Sequence, residues 1–335
     1  MMSNPVLVEA TRGAVVESRH RGAVCVVDGD GNSVLEIGDT KKPVFPRSAI
    51  KLVQALPLIE TGTADALGFG DAELALACSS HSGEDAHIET ARAMLQKAGR
   101  SEADLECGAH WSSHENVLVH QARSIDGEPG AICNNCSGKH ASFICTCAHT
   151  GVDPAGYIEA NHLAMQRVKD ALEDVTGAAH TADKCDRDGC SIPTYAIPLT
   201  SMALGFAKVA SGVGLGVERA KAGRRLMNAC MNAPFFMAGT DRFCTRLMEL
   251  GNGRVFAKTG AEGVYCGAIP ELGLGIALKC DDGASRASEV IMAAVMARLL
   301  PDCDELQAGL SKLANSALHN RNGFNTGVLR AKLPE

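Results

Sequence analysis

The segment Phe45-Pro46-Arg47-Ser48-Ala49-Ile50-Lys51-Leu52-Val53 holds the one Ser-x-x-Lys motif of the sequence, at the point where an extended run gives way to a helical pattern. Pro46 ends the extended run, and the apolar residues from Ala49 onward indicate a short buried helix. Residues three apart share one face of a helix, so we expect Ser48 at the N-terminus with the Lys51 amine one turn above its hydroxyl. In that geometry a lysine can accept a serine's proton. Taken alone, however, the motif also arises by chance in a chain of this length.

A second tripeptide, Lys258-Thr259-Gly260, lies between two strand patterns near the other end of the chain. A Ser-x-x-Lys at the head of a buried helix, followed by Lys-Thr-Gly on a late strand, is the pairing of serine β-lactamases and penicillin-binding enzymes. The Ser-Asp-Asn element of those enzymes has no counterpart in this sequence. The two motifs therefore predict a shared scaffold that acts on a different substrate.

The composition excludes several classes of protein. A chain of 335 residues that is 46% hydrophobic can bury a large core, and its net charge of -7 argues against nucleic acid or an anionic membrane as partner. The first residues show no basic segment followed by an apolar one, and the longest uncharged run is broken by prolines. We therefore expect no export signal, fourteen cysteines that are mostly reduced core residues, and a cytoplasmic location.

Strand and helix patterns are unevenly distributed along the chain. Strand patterns occur at 6–38 and 253–280, and helical patterns dominate between them, including a helix expected from Asp153-Pro154 to Gly177. A closing helix is expected over about 285–300. Small separate sheets at the two ends would be unstable, so one antiparallel sheet built from both ends is the economical solution.

These patterns predict an α+β, β-lactamase-like fold in which helices flank the antiparallel sheet. We expect one catalytic unit of two lobes over 1–335. The sheet lobe comprises residues 1–50 plus 251–335, and the mainly helical lobe comprises residues 51–250.

Cysteine-rich polar segments suggest a metal site. Cys133-Asn134-Asn135-Cys136-Ser137-Gly138-Lys139-His140 could pair with Cys185-Asp186-Arg187-Asp188-Gly189-Cys190 to give a four-thiolate zinc site. The spacing Cys-x4-Cys is loose for such a site, and chance pairs are expected among fourteen cysteines. Two further polar segments, Cys78–Asp85 and Trp111–His114, would either cap helices or line a cleft.

Five motifs in order resemble those of the rhizobial-type (class 3) L-asparaginases of the asparaginase II family. They are Ser-x-x-Lys, Cys-Ser-Ser-His-Ser-Gly-Glu, Asn-Cys-Ser-Gly-Lys-His, Asp-Gly-Cys-Ser-Ile-Pro and Lys-Thr-Gly-Ala-Glu-Gly. The resemblance covers most of the chain. It implies a homodimer with a β-lactamase-like fold that hydrolyses L-asparagine to L-aspartate and ammonia.

The resemblance also implies specific site residues. Two Ser-Lys tandems fall on Ser48–Lys51 and Ser80–Lys258. One zinc ion per chain, supporting substrate binding, falls on Cys136, Lys139 and Cys190, which leaves Cys133 and Cys185 out of the ligand set.

The chemistry of amide hydrolysis assigns roles to some of these groups. Lys51 must be neutral to act as a base, and burial together with a second cation, Lys258, would lower its pKa. Arg47 is expected to bind the substrate carboxylate and Asp188 its ammonium, and His140 is a further expected substrate contact. Two alternatives stay open: a glutaminase or a β-lactam-acylated hydrolase on the same scaffold, and a zinc-binding module without enzyme activity.

Overall fold

The computed structural model of the protein describes residues 3–301 and 304–334. Its strands, in chain order, are β1 (Val6–Arg12), β2 (Val15–Val27), β3 (Ser33–Ile37), β4 (Pro43–Val44), β5 (Cys185–Arg187), β6 (Pro193–Tyr195), β7 (Ile197–Pro198), β8 (Phe256–Thr259), β9 (Val264–Ile269), β10 (Leu274–Cys280), β11 (Asn315–His319) and β12 (Asn325–Ala331).

The α-helices of the same ranges lie mostly between β4 and β8. They are α1 (Lys51–Gln54), α2 (Leu56–Glu60), α3 (Thr63–Ala66), α4 (Asp71–Ala77), α5 (Asp85–Lys97), α6 (Glu115–Ser124), α7 (Ser137–His149), α8 (Leu163–Thr176), α9 (Leu199–Ser211), α10 (Val217–Asn232), α11 (Pro234–Met237), α12 (Phe243–Gly251), α13 (Ser285–Leu299) and α14 (Asp304–Ala314).

Eight strands form one antiparallel sheet in the order β11-β12-β1-β2-β10-β9-β8, with β3 also paired to β2. The long strand β2 joins the two ends of the chain, because its first half pairs with β1 and its second half with β3 and β10. Val24, for example, lies opposite Ile37 on one side and Leu278 on the other. The predicted α+β class, with an antiparallel sheet built from both ends of the chain, is confirmed.

Helices cover both faces of the sheet at its centre. Successive residues of a strand face opposite sides. Gly275 of β10 faces α9, where an added Cβ would lie 2.0 Å from the carbonyl oxygen of Ala203. Gly267 of β9 pairs with Ile276, so it faces the other side, where a Cβ would lie 3.0 Å from the methyl carbon of Met296 in α13. Strand β9 is accordingly buried along its whole length.

The region between β4 and β8 is mainly helical, as the sequence pattern indicates, apart from the short strands β5, β6 and β7. The helix expected to start at Asp153-Pro154 begins instead at Leu163. Asp153 accepts a hydrogen bond from the Ala155 N–H in a turn, and the His162 ring accepts one from the Ala164 N–H. The histidine therefore caps the helix, and the aspartate does not. The division of the chain into two lobes stays a prediction.

The helix predicted over about 285–300 is present as α13, but it is not the last element of the chain. After α13, the chain continues through α14 into a hairpin of β11 and β12, and β12 pairs with β1. Leu329, opposite Ala10, is the one fully buried residue of β12. The strand thus lacks the apolar alternation from which a strand is predicted, and the sequence analysis missed it. Within the described ranges, no helix has both the length and the apolar character needed to cross a membrane.

Candidate active site

The Ser-x-x-Lys segment lies against the end of β8. Ser48 belongs to a 3₁₀ helix, Arg47–Ile50, and Lys51 opens α1 directly after it. Gly260, which follows β8, approaches this turn so closely that a Cβ would lie 2.8 Å from the carbonyl oxygen of Pro46. The glycine of Lys-Thr-Gly therefore allows the strand and the turn to meet, and the two motifs form one site.

Ser80 is the point at which two lysine amines converge. Lys51 Nζ donates to Ser80 Oγ at 2.8 Å, and Lys258 Nζ donates to the same oxygen at 3.0 Å. All three side chains are buried. Lys51 also donates to the Ser79 carbonyl oxygen at 2.5 Å, and Lys258 to the Thr259 carbonyl oxygen at 2.8 Å. Two amines and one hydroxyl thus form a continuous hydrogen-bonded chain.

The protonation of Lys258 is set by its surroundings. Burial, and after it the charge of Lys51, lower the pKa of Lys258 to about 7. At neutral pH this amine is therefore shared between its charged and neutral forms, and a neutral amine can accept a proton from the Ser80 hydroxyl. The sequence analysis expected Lys51 to be the neutral base and Lys258 the second cation. Those roles stay a prediction, and the lowered pKa of Lys258 adds that this amine can itself be neutral near pH 7.

Ser48 is half-buried and lies next to the hydrogen-bonded chain of Lys51, Ser80 and Lys258, but its side chain is not part of that chain. Its carbonyl oxygen accepts the Lys51 N–H, which closes the 3₁₀ turn. Between the side chains of Ser48 and Lys51, however, the described residues contain no hydrogen bond, because the Lys51 amine is directed toward Ser79, Ser80 and the sulfur of Cys136. A rotation of the lysine side chain is needed to bring the expected pair into contact.

Arg47 and Asp188, predicted to bind opposite ends of a substrate, are paired with each other. Arg47 Nε lies 2.5 Å from Asp188 Oδ1, which also accepts the Gly189 N–H at 2.8 Å. Burial acts to raise the pKa of Asp188, but Lys139 and Arg47 outweigh it and hold that pKa below its usual value. The guanidinium Nη groups and Asp188 Oδ2 have no hydrogen-bond partner among the described residues. The pair therefore still offers one positive and one negative group.

Cys136, Lys139 and Cys190 are brought together at the head of α7. Lys139 Nζ donates to Cys190 Sγ at 3.1 Å, and the Cys190 thiol hydrogen-bonds the Cys136 sulfur. This bond, with the charges of Lys51 and Lys139, holds the pKa of Cys136 well below its usual value against the effect of burial. Lys51 Nζ donates to the same sulfur at 3.0 Å. The Cys136 sulfur thus joins this cluster to the Ser80 chain.

This donor set fits a zinc ion, since thiolate and nitrogen are the ligands that zinc prefers. The four-thiolate alternative is wrong. In residues 3–301 and 304–334, no three side chains among His, Cys, Asp and Glu converge as a metal site. Cys133 is a buried thiol, and Cys185, whose Sγ donates weakly to the Asp186 carbonyl oxygen at 3.9 Å, is half-buried.

His140 follows Lys139 on α7 and is fully buried. Its Nδ1 hydrogen-bonds the Tyr157 hydroxyl at 2.6 Å, whereas its Nε2 has no partner in the described part of the chain. Burial, together with the charges of Lys139 and Lys51, keeps the pKa of His140 well below its usual value. The ring is therefore neutral and has one nitrogen available.

Two residues of the site were missed by the sequence analysis. His81 accepts the Gly83 N–H on Nδ1, so its Nε2 carries the proton and donates to Ser137 Oγ at 2.9 Å. Arg242 donates from Nη1 to the Ser80 carbonyl oxygen at 3.4 Å. His81 lies inside the Cys-Ser-Ser-His motif, which was a usable signal. Arg242 lies in no motif, and the sequence contains no signal for it.

The sequence matches one known family along nearly its whole length. The family model described as L-asparaginase II matches residues 8–331. No curated protein matches the chain.

Solved structures show distant similarity. A protein assigned as a β-lactamase from Bacteroides dorei DSM 17855 is 13% identical, with a TM-score of 0.44 over 82% of this chain and 92% of that one. A β-lactamase from Mycobacterium bovis is 11% identical, with a TM-score of 0.41 over 83% and 94% of the two chains. A protein named Mglu is 16% identical, with a TM-score of 0.38 over 89% of this chain and 68% of that one.

The lowered pKa of Lys258 predicts a stability difference that depends on pH. An unfolded lysine keeps its proton up to about pH 10.4, whereas folded Lys258 loses it near 7. The unfolded state therefore binds more protons between these values, and the free energy of unfolding of the wild type should rise with pH across this window. Relative to Lys258→Met, the slope should be about 1.4 kcal/mol per pH unit.

Urea unfolding of both proteins at pH 7.5 and pH 9.5 measures this slope. Lys312→Met, at an exposed lysine of α14, is the matched control and should follow the wild type. If wild type and Lys258→Met changed in parallel, Lys258 would not be a neutral amine near pH 7.

Proposed function

Because the chain belongs to the L-asparaginase II family, we propose that this amidohydrolase converts L-asparagine to L-aspartate and ammonia by serine–lysine catalysis. One observation supports the mechanism most strongly: Ser80 Oγ lies between two buried lysine amines. Hydrolysis of an amide by a serine needs a base that is neutral at working pH and an acid for the departing ammonia. Lys258, whose pKa is lowered to about 7, supplies a neutral amine near neutral pH, and Lys51 holds a second amine against the same serine oxygen.

The hydrogen-bonded chain suggests how the base is prepared. Neutral Lys258 takes the proton of the Ser80 hydroxyl, while Ser80 Oγ takes a proton from the Lys51 amine. Two protons move, Ser80 ends as a hydroxyl, Lys258 ends charged, and Lys51 ends neutral. The Lys51 side chain then rotates toward Ser48, three residues earlier on the same helix face, and its neutral amine accepts the proton of the Ser48 hydroxyl.

Ser48 is the proposed nucleophile because it is the more exposed of the two serines. Its Oγ forms a bond to the amide carbon as its proton passes to Lys51. The backbone N–H of Ser48, which has no hydrogen-bond partner among the described residues, would stabilise the oxyanion, whereas the Ala49 N–H is already bonded to the Pro46 carbonyl oxygen. The C–N bond then breaks as the Lys51 ammonium protonates the nitrogen. Water then attacks the resulting ester and gives a proton to Lys51. Lys51 returns a proton to Ser48 Oγ as the ester bond breaks.

Recognition of the amino acid is assigned to the Arg47–Asp188 pair and to His140. The free guanidinium Nη groups would bind the α-carboxylate, and Asp188 Oδ2 would bind the α-ammonium. The unpartnered Nε2 of His140 is available for a further polar contact. Each of these groups was predicted from the sequence, and each has unused hydrogen-bonding capacity.

Cys136, Lys139 and Cys190 are the residues that would hold one zinc ion per chain. A zinc ion bound there would supply a positive charge that orients the substrate. The residues themselves need to lose protons to bind it: Cys136 already favours its thiolate, and Lys139 and Cys190 would have to follow. We propose, in addition, that the protein is a homodimer and that it works in the cytoplasm.

The function is tested by measuring ammonia release from L-asparagine and L-glutamine, and hydrolysis of a chromogenic β-lactam, with wild type and variants. We expect L-asparagine to be preferred, and Ser48→Ala, Ser80→Ala and Lys258→Met each to lower kcat/KM at least about 100-fold. The double variant of Ser80 and Lys258 should cost little more than the worse single variant, because the groups share one proton path.

Ser113→Ala, at an exposed serine, is the matched control and should keep full activity. Preference for L-glutamine or the β-lactam would replace the substrate assignment. If none of the three substrates were hydrolysed, the enzyme assignment would be wrong and the zinc-binding module would be favoured. Additive losses in the double variant would contradict the shared proton path.

Metal content gives a separate prediction. Protein equilibrated with zinc and then dialysed should retain one zinc ion per chain, and Cys190→Ala should lose it because one of two thiolates is removed. Cys185→Ala removes a half-buried thiol outside the cluster and should retain the metal. Elemental analysis by mass spectrometry measures both. Zinc-free wild type, or equal loss in the two variants, would exclude the assigned ligands.

A further inference from the structure

A cavity of about 510 Å³ lies beside the Ser80 chain, where the segments that precede α5, α6 and α12 meet α13. Its wall includes Ser82, Arg242, Arg246 and Glu289. Arg242 connects the cavity to Ser80, because its Nη1 donates to the Ser80 carbonyl oxygen. The volume lies within the range of ~300–1,000 Å³ that is typical of small-molecule sites.

The two arginines have unused binding capacity. Arg242 is half-buried and its one side-chain hydrogen bond, at 3.4 Å, is long. Arg246 lies one helical turn further along α12, with its guanidinium 6.0 Å from the ring centre of Phe243. Within the described ranges, neither arginine has a carboxylate at ion-pair distance. Like charges at this spacing repel each other, so an anion bound between them would relieve the repulsion.

Glu289 of α13 supplies the opposite charge on the same wall. Burial raises its pKa, while Arg242 and Arg246 act in the other direction. The carboxylate thus interacts electrostatically with both arginines, yet it forms no hydrogen bond in the described part of the chain. Glu84, by contrast, is fully engaged by Ser82 and Thr240. The cavity therefore holds unpaired positive and negative groups with space between them.

We propose that this cavity binds a free α-amino acid, with its carboxylate on Arg242 and Arg246 and its ammonium on Glu289. The charge of the wall favours such a zwitterion over a simple anion, since four carboxylate residues line the cavity together with the two arginines: Glu84, Glu115, Asp241 and Glu289. The site is separate from the Arg47–Asp188 pair, and its ligand is not hydrolysed there. A carboxylate that draws Arg242 away from the Ser80 carbonyl oxygen would also change the rate of hydrolysis, a consequence that rests on the proposed function.

Binding is measurable without activity. Trp111 is the single tryptophan of the sequence, and its neighbour Ser112 donates to the carbonyl oxygen of Ser82 in the cavity wall at 2.6 Å. Its fluorescence should therefore change as the cavity fills. Glycine is the probe, because it is the smallest zwitterion and has no side-chain amide. Acetate lacks the ammonium and ethylamine lacks the carboxylate, so each should bind at least about tenfold more weakly than glycine.

Variants assign the signal to the cavity. Arg246→Ala should raise the Kd for glycine about tenfold or more. Glu289→Gln should raise the Kd for glycine until it approaches the Kd for acetate. Arg286→Ala removes an exposed arginine of α13 outside the cavity and should leave the Kd unchanged. An unchanged Kd in Arg246→Ala, equal binding of glycine and acetate, or no response of the wild type would overturn the proposal. None of these outcomes depends on whether asparagine is the substrate.

Discussion

The burial of two lysine amines against one serine oxygen is the constraint on which this protein depends. A charged amine without compensation is strongly disfavoured in a dry interior. Lys51 is compensated by the Ser79 carbonyl oxygen and the Cys136 sulfur, and Lys258 by the Thr259 carbonyl oxygen, in addition to the shared serine. Burial, and after it the charge of Lys51, lower the pKa of Lys258 to about 7. The buried position of Lys258 beside a second amine is therefore what allows this lysine to accept a proton at neutral pH.

Two glycines hold the elements close enough for these contacts. Gly260 lets the end of β8, which carries Lys258, approach the turn that carries Ser48. Gly138, near the start of α7, lies so close to α4 that a Cβ would be 2.4 Å from Leu76 Cγ. This second approach brings Cys136 to the Lys51 amine. β8, which carries Lys258, is the edge strand of the sheet and is joined through β9 and β10 to β2 from the N-terminal part of the chain. The sheet therefore fixes the position of Lys258.

Much of the architecture was predictable from local patterns. Strands at both chain ends required one sheet, and the Ser-x-x-Lys and Lys-Thr-Gly motifs pointed to one site. Features that depend on three-dimensional contact were not predictable. The direction of the Lys51 amine is decided by Ser79, Ser80 and Cys136, three groups distant in sequence. Arg47 and Asp188, far apart in sequence, pair with each other, and β12 is stabilised by pairing with β1 although its own pattern is weakly apolar.

The protonation of Lys258 is the central claim, and NMR of protein labelled with ¹⁵N at the lysine side chains tests it directly. The side-chain nitrogen signals are followed from pH 5 to pH 11, and the signal missing in Lys258→Met identifies the residue. The account predicts one lysine that titrates near pH 7, far below the ~10.4 of a free lysine. A Lys258 signal that stays protonated to pH 10 would contradict the account, since Lys258 could then not accept a proton at neutral pH.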